Sequence, residues 1–188
     1  MRKAGGAVLL AAFLAACVPD EVPETGAAPP AEPSRAAATL PEEVAGFSRA
    51  ALTPLADGRP GVGAEYAGPS RAAVATVELT EPEQAPNAAQ FADAVRQVVA
   101  DAIRAAEART QLRLREGERT DITAVAGTPV SCVRLTGLYG RQPVSNLVCL
   151  GAPAGRLLRV EIFMPDRGQI RPVDPIPFVI GLMTAAAT

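Results

Sequence analysis

The sequence predicts an α+β fold in which a central antiparallel sheet of about six to seven strands is covered by two helices. Short apolar or alternating segments, separated by Gly and Pro, occur on both sides of one long amphipathic segment. That segment, at about residues 88–109, has the period of an α-helix, and a second helical segment closes the sequence. These observations define a single predicted globular domain over residues 41–188.

Three strand candidates precede the long helix. Each is short and is bounded by Gly or Pro, and the three are Phe47–Leu52, Val62–Tyr66 and Val74–Leu79. The segment from Val62 to Tyr66 alternates apolar and polar residues, which is typical of a strand that is buried on one face.

The long helix has a clear start signal and one apolar face. Asn87 can cap its first turn, and Gln90 three residues later completes the pattern of a capping box. Its apolar positions recur at helical spacing and are Phe91, Val95, Val98, Val99, Ala102, Ile103 and Ala105. Such a stripe suits a membrane surface or a partner helix, but it is more typical of a helix packed on its own sheet.

Four strand candidates and a terminal helix follow. The strand candidates are Ile122–Ala126, Val130–Tyr139, Val144–Leu150 and Leu157–Met164, after a polar connection through Gly117. Asp174 is the expected N-cap of the terminal helix, with Pro175 at its first position and its body over residues 176–188. That helix is too short for a transmembrane anchor.

Cys132 and Cys149 are predicted to form a disulfide bond. A two-residue type II′ turn at Gly140-Arg141 places Cys132 directly opposite Cys149 on the neighbouring strand. A bond that closes a loop of this size stabilises a domain by ~3 kcal/mol. A reactive thiol is the alternative, but the sequence has no CxxC motif, His or neighbouring Lys to activate one.

The first seventeen residues have the pattern of a bacterial export signal. Arg2 and Lys3 precede an apolar run from Ala4 to Leu14, whose length of about 11 residues falls short of the ~20 that span a bilayer. Leu14-Ala15-Ala16-Cys17 follows, and it resembles the lipobox of bacterial lipoprotein precursors. The resemblance implies that residues 1–16 are a signal peptide and that Cys17 is the new N-terminus, lipidated on its thiol and acylated on its amine.

The lipidated Cys17 and the following residues, to residue 40, are predicted to form a disordered tether. This stretch contains five Pro residues and scattered acidic residues, so it cannot bury enough apolar surface to become ordered. The expected location is the cell envelope, anchored by lipid and facing the periplasm or the exterior. Val18, where an Asp would indicate the inner membrane by analogy with enteric bacteria, favours the outer membrane.

The composition excludes several kinds of chemistry. The chain has no His, which removes Ser-His-Asp and Cys-His catalysis and His-based zinc sites. Its formal net charge of -2 gives no field that attracts nucleic acid. No catalytic residue, cofactor or metal ligand is predicted, and the acidic pairs Glu42-Glu43 and Glu78 with Glu81 are the remaining acid/base candidates.

The order of the elements resembles that of the PsbP-like α/β sandwich. The order is three strands, a long helix, four strands and a terminal helix, over about residues 45–188. Members of that family are small lipid-anchored or lumenal proteins that mostly serve larger assemblies. The resemblance therefore implies an accessory role, and it transfers no functional residue.

Two hypotheses of function follow. The first is a non-enzymatic envelope lipoprotein that binds a protein partner, with the hairpin tip at Tyr139 and Arg141 as the contact because aromatic residues and Arg are enriched at interfaces. The second is a lipoprotein that binds a small ligand or lipid in an apolar space between helix 88–109 and the sheet. An enzyme is the third and least supported reading.

Overall fold

The computed structural model describes residues 39–56, 58–124, 127–165 and 173–188. The described part of the chain contains eight strands and two α-helices. In chain order they are β1 (Glu43–Val44), β2 (Phe47–Pro54), β3 (Gly61–Ala67), β4 (Val74–Thr80), α1 (Ala88–Thr110), β5 (Arg115–Thr123), β6 (Pro129–Tyr139), β7 (Gln142–Gly151), β8 (Leu157–Pro165) and α2 (Ile176–Ala186).

The eight strands form one antiparallel sheet with the order β1-β2-β3-β4-β8-β7-β6-β5. Each run of four consecutive strands is a meander, and the two meanders meet where β4 pairs with β8. One helix follows each meander in the chain.

The fold is α+β, but the predicted count of six to seven strands is wrong because the sheet has eight. One additional strand is β1, whose two residues pair with β2 around the turn at Ala45 and Gly46. A strand of two residues carries no periodic pattern, so the sequence gives no signal for it.

The strand β5 begins at Arg115, where the sequence predicted a polar connection and a strand start at Ile122. Eight of its nine residues are exposed, so no buried face produces an alternation of apolar residues. Its backbone pairs with β6 at the edge of the sheet, and its charged side chains are typical of an edge protected against further pairing. Val125 and Ala126, the predicted end of this strand, lie outside the described residues.

The predicted long helix and its capping box are confirmed in α1. The Asn87 side chain accepts a hydrogen bond from the Gln90 N–H at 3.0 Å, and the Gln90 side chain accepts one from the Asn87 N–H at 2.9 Å. The helix ends at Gln111, which has a positive φ of 54° and donates its N–H to the Glu107 carbonyl.

The terminal helix α2 starts one residue later than predicted. The Asp174 carboxylate accepts the Ile176 N–H at 3.1 Å, as an N-cap would, while Pro175 itself occupies the capping position. Gly181 faces β1, where a Cβ atom would lie 2.3 Å from Cγ2 of Val44, so the missing side chain allows the two elements to touch.

The larger core fills the space between α2 and one face of the sheet. Phe178 of α2 stacks on Phe47 with ring centroids 4.1 Å apart and meets Tyr66 edge-on at 5.2 Å. Alternate residues of the central strands point to the same side, and those of β8 are Leu158, Val160, Ile162 and Met164. The buried Cys132 and Cys149 also belong to this core.

The segment before β1 is fixed to this core. Leu40 is 2% exposed and packs in it. The Arg49 guanidinium donates to the Leu40 carbonyl, and the Tyr66 hydroxyl donates to the Pro41 carbonyl at 2.8 Å. Burial raises the pKa of Tyr66 above its ordinary value of 10.0, and the positive charge of Arg49 opposes part of that rise.

A smaller core lies on the opposite face, between α1 and the strands β6 and β7. Val99 and Ala102 of α1 pack there against Val133, Leu135 and Val148. The helix therefore packs on its own sheet, as its stripe favoured. Neither described helix is long and apolar enough to span a bilayer.

Candidate functional site

A groove of about 570 Å³ lies beside the smaller core, between the C-terminal half of α1 and the sheet. It exists because α1 packs over β6 and β7 and leaves the same face of β8 and β4 less covered. The helix wall of the groove includes the small side chains of Ala105 and Ala106, together with Arg109 and Thr110 at the end of the helix.

The floor of the groove is polar and comes from three neighbouring strands. The pairing of β4 with β8 sets Glu78 opposite Arg159 and Thr76 opposite Glu161. Asn146 of β7 lies on the same face, diagonally next to Glu161, whose direct partner is Val148. The floor of the groove therefore consists of Thr76, Glu78, Asn146, Arg159 and Glu161, and Val148 does not line it.

The charged residues of the floor form a connected network. The Arg159 guanidinium lies between two carboxylates, with Nη1 at 3.6 Å from Glu78 Oε2 and Nη2 at 3.1 Å from Glu161 Oε2. The Asn146 amide nitrogen donates to the other oxygen of Glu161 at 2.7 Å. These side chains are partly shielded from water, since Arg159, Glu78 and Glu161 are 22%, 31% and 27% exposed.

Asn146 carries an unmatched polar atom in this floor. The residue is 3% exposed, and its Oδ1 has no hydrogen-bond partner among the described residues. A carboxylate only accepts hydrogen bonds, so the contact with Glu161 requires the amide nitrogen and turns Oδ1 away from it. A buried acceptor without a donor costs about 1–3 kcal/mol.

One end of the groove is apolar. Leu112 and Leu114, from the segment between α1 and β5, lie there with Phe163 and Val144. The groove therefore combines an apolar wall with a charged floor, which is the usual composition of small-molecule sites.

The two predicted contact residues, Tyr139 and Arg141, differ in their position relative to the groove. Tyr139 is 59% exposed and lines the rim of the groove, whereas Arg141 is exposed at the turn and outside the lining. Gly140 has the positive φ, 62°, that the predicted two-residue turn requires at its first position.

The predicted cysteine register is confirmed, because Cys132 pairs with Cys149 across β6 and β7 and their sulfur atoms are 2.10 Å apart. This pair lies in the larger core, on the face opposite the groove, and has no contact with the candidate site. Cys17, the predicted lipidation site, lies outside the described residues.

The acidic candidates from the sequence are separated in the structure. Glu78 belongs to the groove floor, whereas Glu81 lies outside the lining and is exposed, as are Glu42 and Glu43. Across the described ranges, no group of three or more Cys, Asp and Glu side chains has the arrangement that would hold a metal ion.

Sequence reasoning missed Asn146, Arg159 and Glu161 as site residues. Two signals were available, a polar Asn inside the apolar run of β7 and the alternation of Arg159 and Glu161 on β8. Neither signal identifies a site until the pairing of β7, β8 and β4 is known.

The search of protein-family models and that of curated proteins gave no match. Among solved structures, the chain is similar to the solution structure of cyanobacterial PsbP (CyanoP) from Synechocystis sp. PCC 6803. The similarity has 13% sequence identity and a TM-score of 0.44, and it covers 76% of this chain and 79% of that chain.

Proposed function

We propose that this chain is an envelope lipoprotein, anchored through Cys17, whose non-enzymatic domain binds a small ligand in the groove between α1 and the sheet. The observation that carries the proposal is the groove itself, with its apolar end and its networked polar floor. Its volume of about 570 Å³ lies within the range of small-molecule sites.

The lining supports binding more than catalysis. Both oxygens of Glu161 already accept hydrogen bonds, from Asn146 and from Arg159. The Arg159 side chain separates Glu161 from Glu78, so the two carboxylates do not form a directly interacting acid/base pair. In the proposal, the carboxylates of Glu78 and Glu161 provide hydrogen-bond acceptors at fixed positions beneath the ligand.

A protein partner at the hairpin tip is the second candidate. Leu138 and Tyr139 are 60% and 59% exposed and adjacent, which favours a small apolar contact. The sequence prediction ranked this function first and assigned the contact to Tyr139 and Arg141. We place it second because the tip offers two exposed residues, whereas the groove offers a built cavity.

The proposal is tested by native mass spectrometry of the full lipidated chain, extracted gently from the membranes of its own cells. The expected result is an added mass of a few hundred daltons in the wild type and its loss in Ala105→Phe, because the phenyl ring occupies the groove. Ala108→Phe is the matched control, since Ala108 is exposed on the same helix and outside the lining.

Retention of the same mass by Ala105→Phe would place the ligand elsewhere and contradict the groove assignment. Absence of any small mass together with a stoichiometric polypeptide, lost on Tyr139→Ala, would favour the hairpin-tip candidate.

A further inference from the structure

We infer that the tip of the hairpin formed by β6 and β7 docks on a lipid surface that contains anionic phospholipids. The inference concerns the outer end of the hairpin and does not depend on what the groove binds. It follows from apolar side chains on both faces of the tip, from Arg residues placed behind it and from the balance of charge around it.

The apolar side chains of the tip lie on both faces of the hairpin. Leu138 and Tyr139 are 60% and 59% exposed, and the other exposed large hydrophobic residues of the described ranges, Leu52 and Val74, belong to other strands. Successive residues of a strand point to opposite faces, so Leu138 and Tyr139 do the same. The exposed Pro143 pairs with Leu138 and adds apolar surface to its face. A flat protein surface contacts one face at a time, whereas a headgroup layer that surrounds the tip contacts both.

Two Arg residues lie a short distance behind the tip. A Cβ atom on Gly137 would lie 2.6 Å from the Arg113 carbonyl oxygen, so the chain at Arg113 crosses β6 two residues behind Tyr139. Arg115 pairs with Thr136, three residues behind Tyr139. At the rise of a strand, these positions are about 7 Å and about 10 Å from the tip. Interfacial protein elements enter a bilayer by about 5–10 Å, so the two guanidinium groups would lie at the level of the phosphates.

A third Arg residue lies at the turn itself. Arg141 follows Gly140 and is exposed, as are Arg113 and Arg115. None of the three forms an ion pair with another residue in the described part of the chain. Guanidinium groups without partners are available to phosphate oxygens, which they bind in a two-pronged geometry.

The acidic residues near the tip leave an excess of positive charge. Glu116 follows Arg115 on β5 and offsets one of the three Arg residues. Glu107 and Arg109, both exposed at the end of α1, offset each other. Glu161 in the groove floor pairs with a residue of β7 that lies six residues from the tip, which corresponds to about 20 Å. That distance exceeds the ~10 Å over which exposed charges interact at ordinary ionic strength.

A single Trp at the tip tests the inference. The chain has no Trp, so Tyr139→Trp introduces one reporter. The full chain is mixed with vesicles of phosphatidylcholine, with or without phosphatidylglycerol, whose brominated acyl chains quench a Trp that enters the bilayer. Lipid on Cys17 would hold the chain on both kinds of vesicle, so a difference between them reports the tip. We expect quenching to be at least about twofold stronger in the anionic vesicles and to decrease as the salt concentration rises.

Leu52→Trp is the matched control for the position of the reporter. Leu52 is also exposed, but it lies on β2, five strands away from β6 in the sheet. Its Trp should show the same emission with either kind of vesicle, because the docked tip holds this edge of the sheet away from the lipid.

A double variant tests the role of the Arg residues. In the Tyr139→Trp chain, Arg113→Gln with Arg115→Gln should lower the ratio of docked to free tip about 25-fold, since each Arg near an anionic surface contributes about fivefold. Arg96→Gln with Arg119→Gln removes the same charge and is the matched control. Arg96 lies exposed on α1, and Arg119 lies on β5 six residues from the tip. This pair should change the ratio by less than about twofold.

Three outcomes would overturn the inference. The first is equal quenching of the Tyr139→Trp chain by neutral and anionic vesicles. The second is an equal loss in the two double variants, because the overall charge is then responsible. The third is an unquenched tip together with a stoichiometric polypeptide that the wild type captures and Tyr139→Ala loses, which assigns the tip to a protein partner. None of these outcomes affects the groove, which native mass spectrometry tests separately.

Discussion

The amide nitrogen of Asn146 donates to Glu161 Oε1 at 2.7 Å across the pair of strands β7 and β8. This hydrogen bond fixes the orientation of the amide, and its oxygen has no hydrogen-bond partner within the described ranges of the chain. The same carboxylate accepts a hydrogen bond from Arg159 at its second oxygen, so Asn146 and Arg159 together hold the Glu161 side chain.

Asn146→Asp should destabilise the domain while preserving its shape. The new carboxylate would face Glu161 at hydrogen-bond distance in a buried position, which disfavours the charged form of both groups. We expect a loss of about 2–3 kcal/mol in the free energy of unfolding at pH 7, and a partial recovery at acidic pH as one carboxyl binds a proton. Urea unfolding as a function of pH measures both effects.

The control is Asn87→Asp, the same substitution at the N-cap of α1. Asp also caps a helix N-terminus well, so we expect a change below about 0.5 kcal/mol. An equal loss in both variants would contradict the role assigned to the contact between Asn146 and Glu161.

Tyr66 should make the domain less stable at alkaline pH. Its pKa is raised in the fold by burial, so the unfolded chain releases the hydroxyl proton at a lower pH than the folded domain. The stabilisation is therefore complete below about pH 10 and is lost as the pH rises through the pKa of the folded state. Denaturant unfolding measured from about pH 8 to about pH 11, on both sides of the ordinary tyrosine pKa, should show this loss in the free energy of unfolding.

Tyr66→Phe separates the hydroxyl from the ring. It should lower stability by about 1 kcal/mol at neutral pH, because the hydrogen bond to the Pro41 carbonyl is lost. The substitution should also reduce the loss of stability that occurs at alkaline pH. An unchanged decline in this variant would assign the pH dependence to another group.

Removal of the disulfide should lower the free energy of unfolding, because the bond closes a loop and thereby restricts the unfolded chain. The two cysteines are separated by 17 residues, so replacing both with Ala should reduce the free energy of unfolding by ~3 kcal/mol. A reductant added during unfolding should destabilise the wild type and leave the double variant unaffected. Mass mapping that finds both thiols free in the unreduced protein would refute the pairing.

Gly151→Ala should disturb the contact between β7 and α2. An added Cβ atom would lie 2.4 Å from Sδ of Met183 and 2.8 Å from its terminal methyl, in the larger core. We expect a loss of about 1–3 kcal/mol from overpacking. In a Met183→Val background the same substitution should cost less, and equal costs in both backgrounds would contradict the assigned contact.

Cys17→Ser should leave the chain without its lipid. Fractionation of cells would then recover the variant in the soluble fraction, and the wild type with the membranes, because acyl chains hold a protein at ~0.8 kcal/mol per buried CH₂. Mass spectrometry of the purified wild type should show the added acyl groups on residue 17. An unmodified Cys17 in the mature chain would refute the lipoprotein assignment.

Elements with local signals could be predicted from the sequence. The first turn of α1 contains both halves of its capping box, Asn87 and Gln90, within four consecutive residues. The hairpin of β6 and β7 has its turn at Gly140, and the turn alone determines that Cys132 lies opposite Cys149. In each case neighbouring residues determine the geometry.

Elements without local signals were missed. The strand β5 has charged and exposed side chains, so only its backbone pairing with β6 makes it a strand. The groove floor was missed for a related reason. Glu78 and Arg159 are distant in sequence and meet only because β4 pairs with β8, a non-local register that no short segment specifies.

The alternation along β8 has an evolutionary consequence. Leu158, Val160 and Ile162 pack in the larger core, while Arg159, Glu161 and Phe163 line the groove on the opposite face. Natural selection can therefore change every second residue of this strand without removing the side chains that fold the domain. In diverging descendants of this gene, we expect the residues that line the groove to change faster than the core residues that hold the sheet and α2 together.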